Sequence, residues 1–493
     1  MTTRSRMSPV DTAWLRMDSP CNQMMITAVQ IFDGPLDGQV LRALLQSHLL
    51  VHREFRSRVE IDAAGAWWVQ AGCDLDQHLV PIGLPGAADM VQLQHLVGQL
   101  ASAALDRNKP LWQMHWIDNF RPTPGARPVH VLIARIHHCI ADGMALVGVL
   151  LSLTTSRPDA QPPSVRSRVA LGSAQGVPWA QRLLAHWTPR IVHAIEGGGD
   201  ALARALRAAN ALLESSNPAA QLAGRARQFA QDLSSLAFMP DDTSTSLKGV
   251  PVGSKAVAWA APLPLAKVKE VSRALGCSIN DVLMAAVAGA FRDYLLAQGQ
   301  AVVGVKLRAL IAVNLRPALG EQPPERLGNH FGLVPLLLPI FLDDPREQVV
   351  HVREQMAELK KGNLPVLSMW LLGAMGLAPR RVQRFVLDRL AAKASAVMTN
   401  VPGPREPLYM AGAALKEMMF WVPQSGQLAL GVSVLSYNGG VQLGVMTDQS
   451  VCSQPGLIVE HFDPAFERLA RLASSRKMRS VRAKRGKLGA KDG

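Results

Sequence analysis

Residues 129–153, VHVLIARIHHCIADGMALVGVLLSL, change character part-way along. Up to His138 the run is β-branched and aliphatic, as a buried strand requires, and from Met144 it reads as an apolar helix. Two adjacent histidines and an Asp-Gly pair lie between, so the chain must end a strand, turn and enter a helix within Cys139–Gly143. A strand that feeds a helix through so short a turn is the unit from which α/β folds are assembled.

The turn also concentrates the chemistry. Successive strand residues alternate faces, so His137 and His138 cannot both point into one cavity unless the strand ends between them. One imidazole can work while the other supports. A neutral imidazole, with its unperturbed pKa of ~6.5, is suited to take a proton near neutrality. Asp142 can pair with a cation or cap the helix, and Gly143 is expected to permit a tight backbone at the turn. Read by itself, the His-His pair favours a metal pair or two satisfied core histidines over a catalytic base.

The same α/β alternation extends over the chain. Residues 24–32 and 129–138 read as strands and 37–50 as a helix, giving an N-terminal lobe over 1–153. Residues 154–176 gather Pro, Ser and Arg and read as a linker. Connecting helices are expected beyond it to 249, with Leu202, Leu206 and Leu213 on one face. A second lobe is expected over 250–472, with a helix at 264–276 closed by Gly276 and another from Ser278 to Gln298. Its strands are expected at 302–315, 394–401, 427–436 and 441–447, the last two flanking the Asn-Gly turn of YNGG. A length of 493 residues fits two such lobes.

Composition narrows the setting. No apolar run reaches the ~18–20 residues that cross a bilayer, and the N-terminus has no secretory h-region, so a cytosolic protein is expected. Five scattered cysteines without CxxC spacing argue against disulfides or zinc. The net charge is +14, and half of it sits after Ser475, where eight Lys/Arg and one Asp form a tail (473–493) expected to be disordered. Such a tail suits an anionic membrane or lipid-inclusion surface, at about 1 kcal/mol per basic residue. With three Tyr and no aromatic-basic motif, nucleic acid is not an expected partner.

HHCIADG matches the HHxxxDG signature of CoA-dependent acyltransferases, and the chain resembles the bacterial wax ester synthase/acyl-CoA:diacylglycerol acyltransferases. That resemblance is carried by MSPVDTAWLRMDSP (7–20), HREFRSRV (52–59), DRNKPLWQMHWID (106–118), GCSINDVLMAAVAGAFRDYL (276–295), VNLRP (313–317), LGNHFGLVPLLLP (327–339) and MTNVPGP (398–404). It implies two chloramphenicol acetyltransferase-like lobes with the active site in a channel between them. It implies transfer of an acyl group from acyl-CoA to diacylglycerol or a long-chain alcohol, with acyl-CoA as a substrate and no metal or cofactor. His138 is then the general base and His137 its support. Asp142 forms a structural ion pair with an arginine, for which Arg316 is the candidate, and Gly143 serves the backbone turn. Asn280 and Trp112 are candidate substrate contacts, although SIND is also a capping box and PLW a packed turn. Cys139, adjacent to the base but aimed to the other face, is a poor nucleophile candidate. Two other readings stand beside this one: a catalytically silent lipid-droplet coat protein, and a condensation- or acetyltransferase-type relative with a small acceptor.

Overall fold

The computed structural model describes residues 4–63, 65–159, 239–316, 327–362 and 364–489. The connecting helices expected around Leu202–Leu213 lie outside the described residues. What is described is α/β, with two large mixed sheets, each backed by its own apolar core.

Local sequence signals set the elements. Met25–Asp33 and Val129–His137 are strands, paired antiparallel so that Met25 faces His137. Trp112–Phe120 flanks the histidine strand on its other side, with Trp112 opposite Ile136. In the second half, the helix Leu265–Leu275 stops at Gly276, whose φ of +70° is the left-handed cap glycine adopts freely. Ser278 and Asp281 then form the capping box that opens Ile279–Ala297. Strands Leu430–Tyr437 and Gly440–Asp448 form the expected hairpin, with positive φ at Asn438 and Gly439. These two strands join Leu307–Asn314, Phe331–Leu338, Ala396–Pro402 and Lys255–Trp259 in the second sheet.

The two halves do not divide as the expected boundaries, 1–153 and 250–472, imply. The strand Ala413–Trp421 leaves the second half and pairs with Met25–Asp33, so it belongs to the first sheet. Its side chains are why: Leu415, Met418, Met419, Phe420 and Trp421 are buried in the first core. The sheet it joins would otherwise expose Met25–Asp33 as an apolar edge strand. The tail also differs from expectation. Phe462, Phe466 and Leu469 bury one stripe of a helix that continues to Gly489, because the Lys, Arg, Ala and Leu that follow are good helix formers.

Among the described residues, no single helix is long and apolar enough to cross a membrane. The most apolar long helix, Ile279–Ala297, is instead buried along most of its length in the second core.

Candidate active site

The histidine strand delivers its two imidazoles to opposite sides. His138 continues the ladder by one bond, its N–H donating to the Met24 carbonyl at 2.7 Å. The chain then turns: the Cys139 N–H donates to His137 Nδ1 at 3.1 Å and the Ile140 N–H to the His137 carbonyl at 3.0 Å. His137 thus braces the turn, and its Nε2 faces the Asp18 carboxylate at 3.7 Å. Burial raises the Asp18 pKa, but His137, the Met24 N–H and Arg107 together outweigh it and hold the carboxylate below its usual range. Because the two rings diverge, they do not form a chelating pair. Among the described residues no group of three or more His, Cys, Asp or Glu could hold a metal ion.

His138 lies in the seam between the halves. Its ring stacks on Trp14, centroids 4.1 Å apart and 16° from parallel, and Phe331 flanks it at 5.5 Å. Asn329 Nδ2 donates to the His138 carbonyl at 2.8 Å and to Asp11 Oδ1 at 2.7 Å. The helix Pro9–Met17 therefore approaches His138 from one side and the segment Leu327–Phe331 from the other. Burial lowers the His138 pKa to about 4; the Asp142 charge, its own main chain and Asn329 pull the other way without cancelling that effect. Its ring Nδ1 is buried without a hydrogen-bond partner.

Asp142 anchors the turn. It caps the helix Gly143–Ser152 by accepting from the Ala145 N–H at 3.0 Å. Its other oxygen accepts from Arg316 Nη1 at 2.6 Å and from the His330 N–H at 2.9 Å. Burial raises the carboxyl pKa, but the Arg316 charge and these hydrogen bonds overcome that and keep Asp142 ionised. Arg316 spends its second nitrogen on the Gly328 carbonyl at 2.7 Å. Gly328 has φ +145°, a conformation that side chains rarely adopt. The expected Asp142–Arg316 pair is therefore present, and it ties the histidine turn to the second half.

Two expectations need correction. Gly143 has no left-handed backbone, and an added Cβ would meet only Phe420 at 3.7 Å and Val422 at 3.8 Å, which is ordinary contact; the turn does not require glycine there. Trp112 does not reach a substrate space. It is 1 % exposed, donates from Nε1 to the Phe55 carbonyl and stacks on His78, which makes it core. His138 itself is 3 % exposed, with Trp14 and Phe331 against its ring. Asn280 accepts from Asn400 Nδ2 at 2.7 Å, joining the start of its helix to the TNVPGP strand and not to the histidine turn. Cys139 is fully buried, and burial raises its thiol pKa well above the usual value.

The sequence reading assigned no role to Asp11, Trp14, Asp18 or Asn329. The first three stand at i, i+3 and i+7 behind a Ser-Pro helix start, so their common face was available as a signal. Asn329 lies in LGNHFGLVPLLLP, one of the stretches that carry the family resemblance, but its partners, 191 and 318 residues away, leave its role illegible in the sequence.

Two family models match the chain: the wax ester synthase/diacylglycerol acyltransferase catalytic domain over residues 7–283, and the WS/DGAT C-terminal domain over 327–470. The chain belongs to the wax ester synthase/diacylglycerol acyltransferase family. Within the family, a probable diacylglycerol O-acyltransferase of Mycobacterium tuberculosis is 26% identical over 487 residues, 94% of each chain. A second protein of that organism, a putative diacylglycerol O-acyltransferase, is 27% identical over 488 residues, covering 94% of this chain and 99% of its own. The fold is shared with the wax ester synthase/diacylglycerol acyltransferase of Marinobacter aquaeolei VT8 (TM-score 0.63, 19% identity, 95% of this chain and 100% of the other). The first condensation domain of the calcium-dependent antibiotic synthetase also shares it (TM-score 0.57, 17% identity, 96% and 97%). The two-lobed acyltransferase architecture expected from HHxxxDG is thus the observed fold.

Proposed function

We propose that His138 is the general base by which this acyltransferase moves a fatty acyl group from acyl-CoA to the hydroxyl of diacylglycerol or a long-chain alcohol. The observation that carries the assignment is an imidazole kept neutral by burial, set against Trp14 and Phe331 and joined through a short turn to the buried Asp142–Arg316 pair. In the proposed step Nε2 takes the hydroxyl proton while that oxygen attacks the thioester carbonyl. The tetrahedral adduct collapses with loss of the CoA thiolate, and the imidazolium returns the proton to sulfur. Products are the ester and free CoA, and His138 with the two substrates accounts for every proton and electron pair. No metal or cofactor enters the scheme, and the sealed Cys139 has no part in it.

Burial explains both the strength and the limit of this base. A dry, low-dielectric site keeps the ring neutral and excludes the water that would hydrolyse the thioester. It also makes the imidazolium costly, which the nearby Asp142 charge offsets in part. An activated thioester needs less help from its base than an amide does. Fixing two substrates in attacking geometry can supply as much as ~7–11 kcal/mol of the barrier. Since both acceptors are apolar molecules that reside in lipid, the protein works at an anionic lipid surface, toward which its net charge of +14 draws it.

The test is free-thiol release from palmitoyl-CoA, with product ester quantified, with and without hexadecanol or a diacylglycerol. Acceptor-dependent release and ester formation are expected, falling by about 10²–10⁴ in His138→Ala. Ester formation that survives the substitution would remove His138 from the role.

A further inference from the structure

Three large apolar side chains are exposed within nine residues of one another on a segment that contacts the N-terminal helix. The helix Arg380–Ala391, RRVQRFVLDRLA, leaves Phe385 68 % exposed and Val382 51 % exposed, and Leu377 just before it is 54 % exposed. Phe385 stands three positions after Val382 and four from both Arg381 and Arg389, so these four side chains share one face. Arg380, Arg381, Arg384 and Arg389 make no ion pair or side-chain hydrogen bond among the described residues, and Asp388 is the sole acid on the helix.

The opposite face is fixed to the catalytic seam. Gln383, which is buried, donates from Nε2 to the Ala13 carbonyl at 3.0 Å, next to the Trp14 that stacks on His138. Arg16, on the same N-terminal helix, donates to the Gly376 and Ala378 carbonyls at 2.9 and 3.1 Å. At Gly376 the two segments touch backbone to backbone, since an added Cβ would lie only 1.7 Å from the Pro9 carbonyl oxygen.

We propose that the helix Arg380–Ala391 is the element that docks this enzyme onto an anionic phospholipid surface, Phe385 and Val382 entering the acyl boundary while the flanking arginines bind phosphate groups. A phenylalanine bracketed by unpaired guanidinium groups is matched by a surface with phosphates above and hydrocarbon below. A helix buried against another copy of the chain would instead leave four like charges in the interface. The docked helix is bonded, through Gln383, to the residue beside Trp14. A lipid-borne hydroxyl would therefore be delivered to the seam and not to bulk water. This inference rests on the acyl-acceptor reading above for its purpose, but not for its test.

The experiment is co-sedimentation of the full chain with vesicles of phosphatidylcholine alone or with phosphatidylglycerol, comparing wild type with Phe385→Gln and Arg381→Glu/Arg389→Glu. Each variant alters only exposed side chains, and thermal melts confirm folding. Expected are preference for phosphatidylglycerol, binding that falls with salt, and at least tenfold weaker partitioning in both variants. With a short, water-soluble alcohol and acyl-CoA, Phe385→Gln retains wild-type turnover, which separates loss of docking from loss of acyl transfer. The proposal is overturned if wild type ignores the vesicles, if both variants bind as wild type does, or if the variants change oligomeric state and leave vesicle binding intact.

Discussion

Asp142→Asn tests whether the buried carboxylate acts through architecture or in the chemical step. Asparagine caps a helix as well as aspartate does, so the bond from the Ala145 N–H survives. What is lost is the charge facing Arg316, at 2.6 Å and almost fully buried on both sides. Removing one partner of a buried pair leaves the other uncompensated and costs about 3–5 kcal/mol. Arg316 keeps only the Gly328 carbonyl and a longer approach to His330, at 3.4 Å. The assay is guanidinium unfolding followed by circular dichroism, paired with kcat and KM for ester formation. A midpoint lowered in proportion to that loss is expected, together with reduced kcat as the His138 turn loosens. Asp142→Asn/Arg316→Met, which replaces the pair by a neutral contact, should recover at least half of the lost stability. A single variant as stable as wild type but lacking turnover by 10³ or more would place Asp142 in the chemistry and refute a structural role.

Four further outcomes follow from the same geometry. With His138 titrating near pH 4, kcat/KM should stay level from neutrality to about pH 5 and fall only below it; an acid limb centred at 6.5 would contradict a desolvated base. Because that pKa is depressed from 6.5, the unfolded chain binds the proton first, and His138 withdraws about 3 kcal/mol of stability as pH falls from 6.5 to 4. Asp11, raised by burial to about 6, acts oppositely over its window and returns part of that loss, so unfolding midpoints of His138→Gln should decline less on acidification than those of wild type. Trp14→Phe, which keeps a ring against His138, should hold kcat within tenfold, while Trp14→Leu lowers kcat more than it raises KM; equal effects of the two would deny the stack a positioning role. Gly143→Ala should stay within tenfold of wild-type activity, and a loss beyond 100-fold would show that the space beside Phe420 and Val422 is needed for substrate.

Where structure depends on neighbours in sequence, the chain was readable. The Asn438-Gly439 hairpin, the Ser278 capping box, the stop at Gly276 and the strand-to-helix switch after His138 are each decided by bonds spanning a few residues. The HHxxxDG resemblance singled out His138 and the carboxylate of Asp142 because those residues lie within a few positions of one another. Misreadings arose where local logic had no competitor in view. Trp112 resembled a pocket residue until Phe55 and His78 claimed it, and Gly143 a backbone requirement until its ordinary conformation was seen.

Tertiary structure alone decided the rest. Only the folded chain brings Trp14 onto His138, sets Asn329 between Asp11 and the His138 carbonyl, and carries Ala413–Trp421 across to the first sheet. Local order is governed by backbone hydrogen bonds and side-chain periodicity, which a short window contains. Desolvation and ion pairing instead depend on which distant surfaces close over a group, so the imidazole's identity was written in its motif and its proton affinity was not.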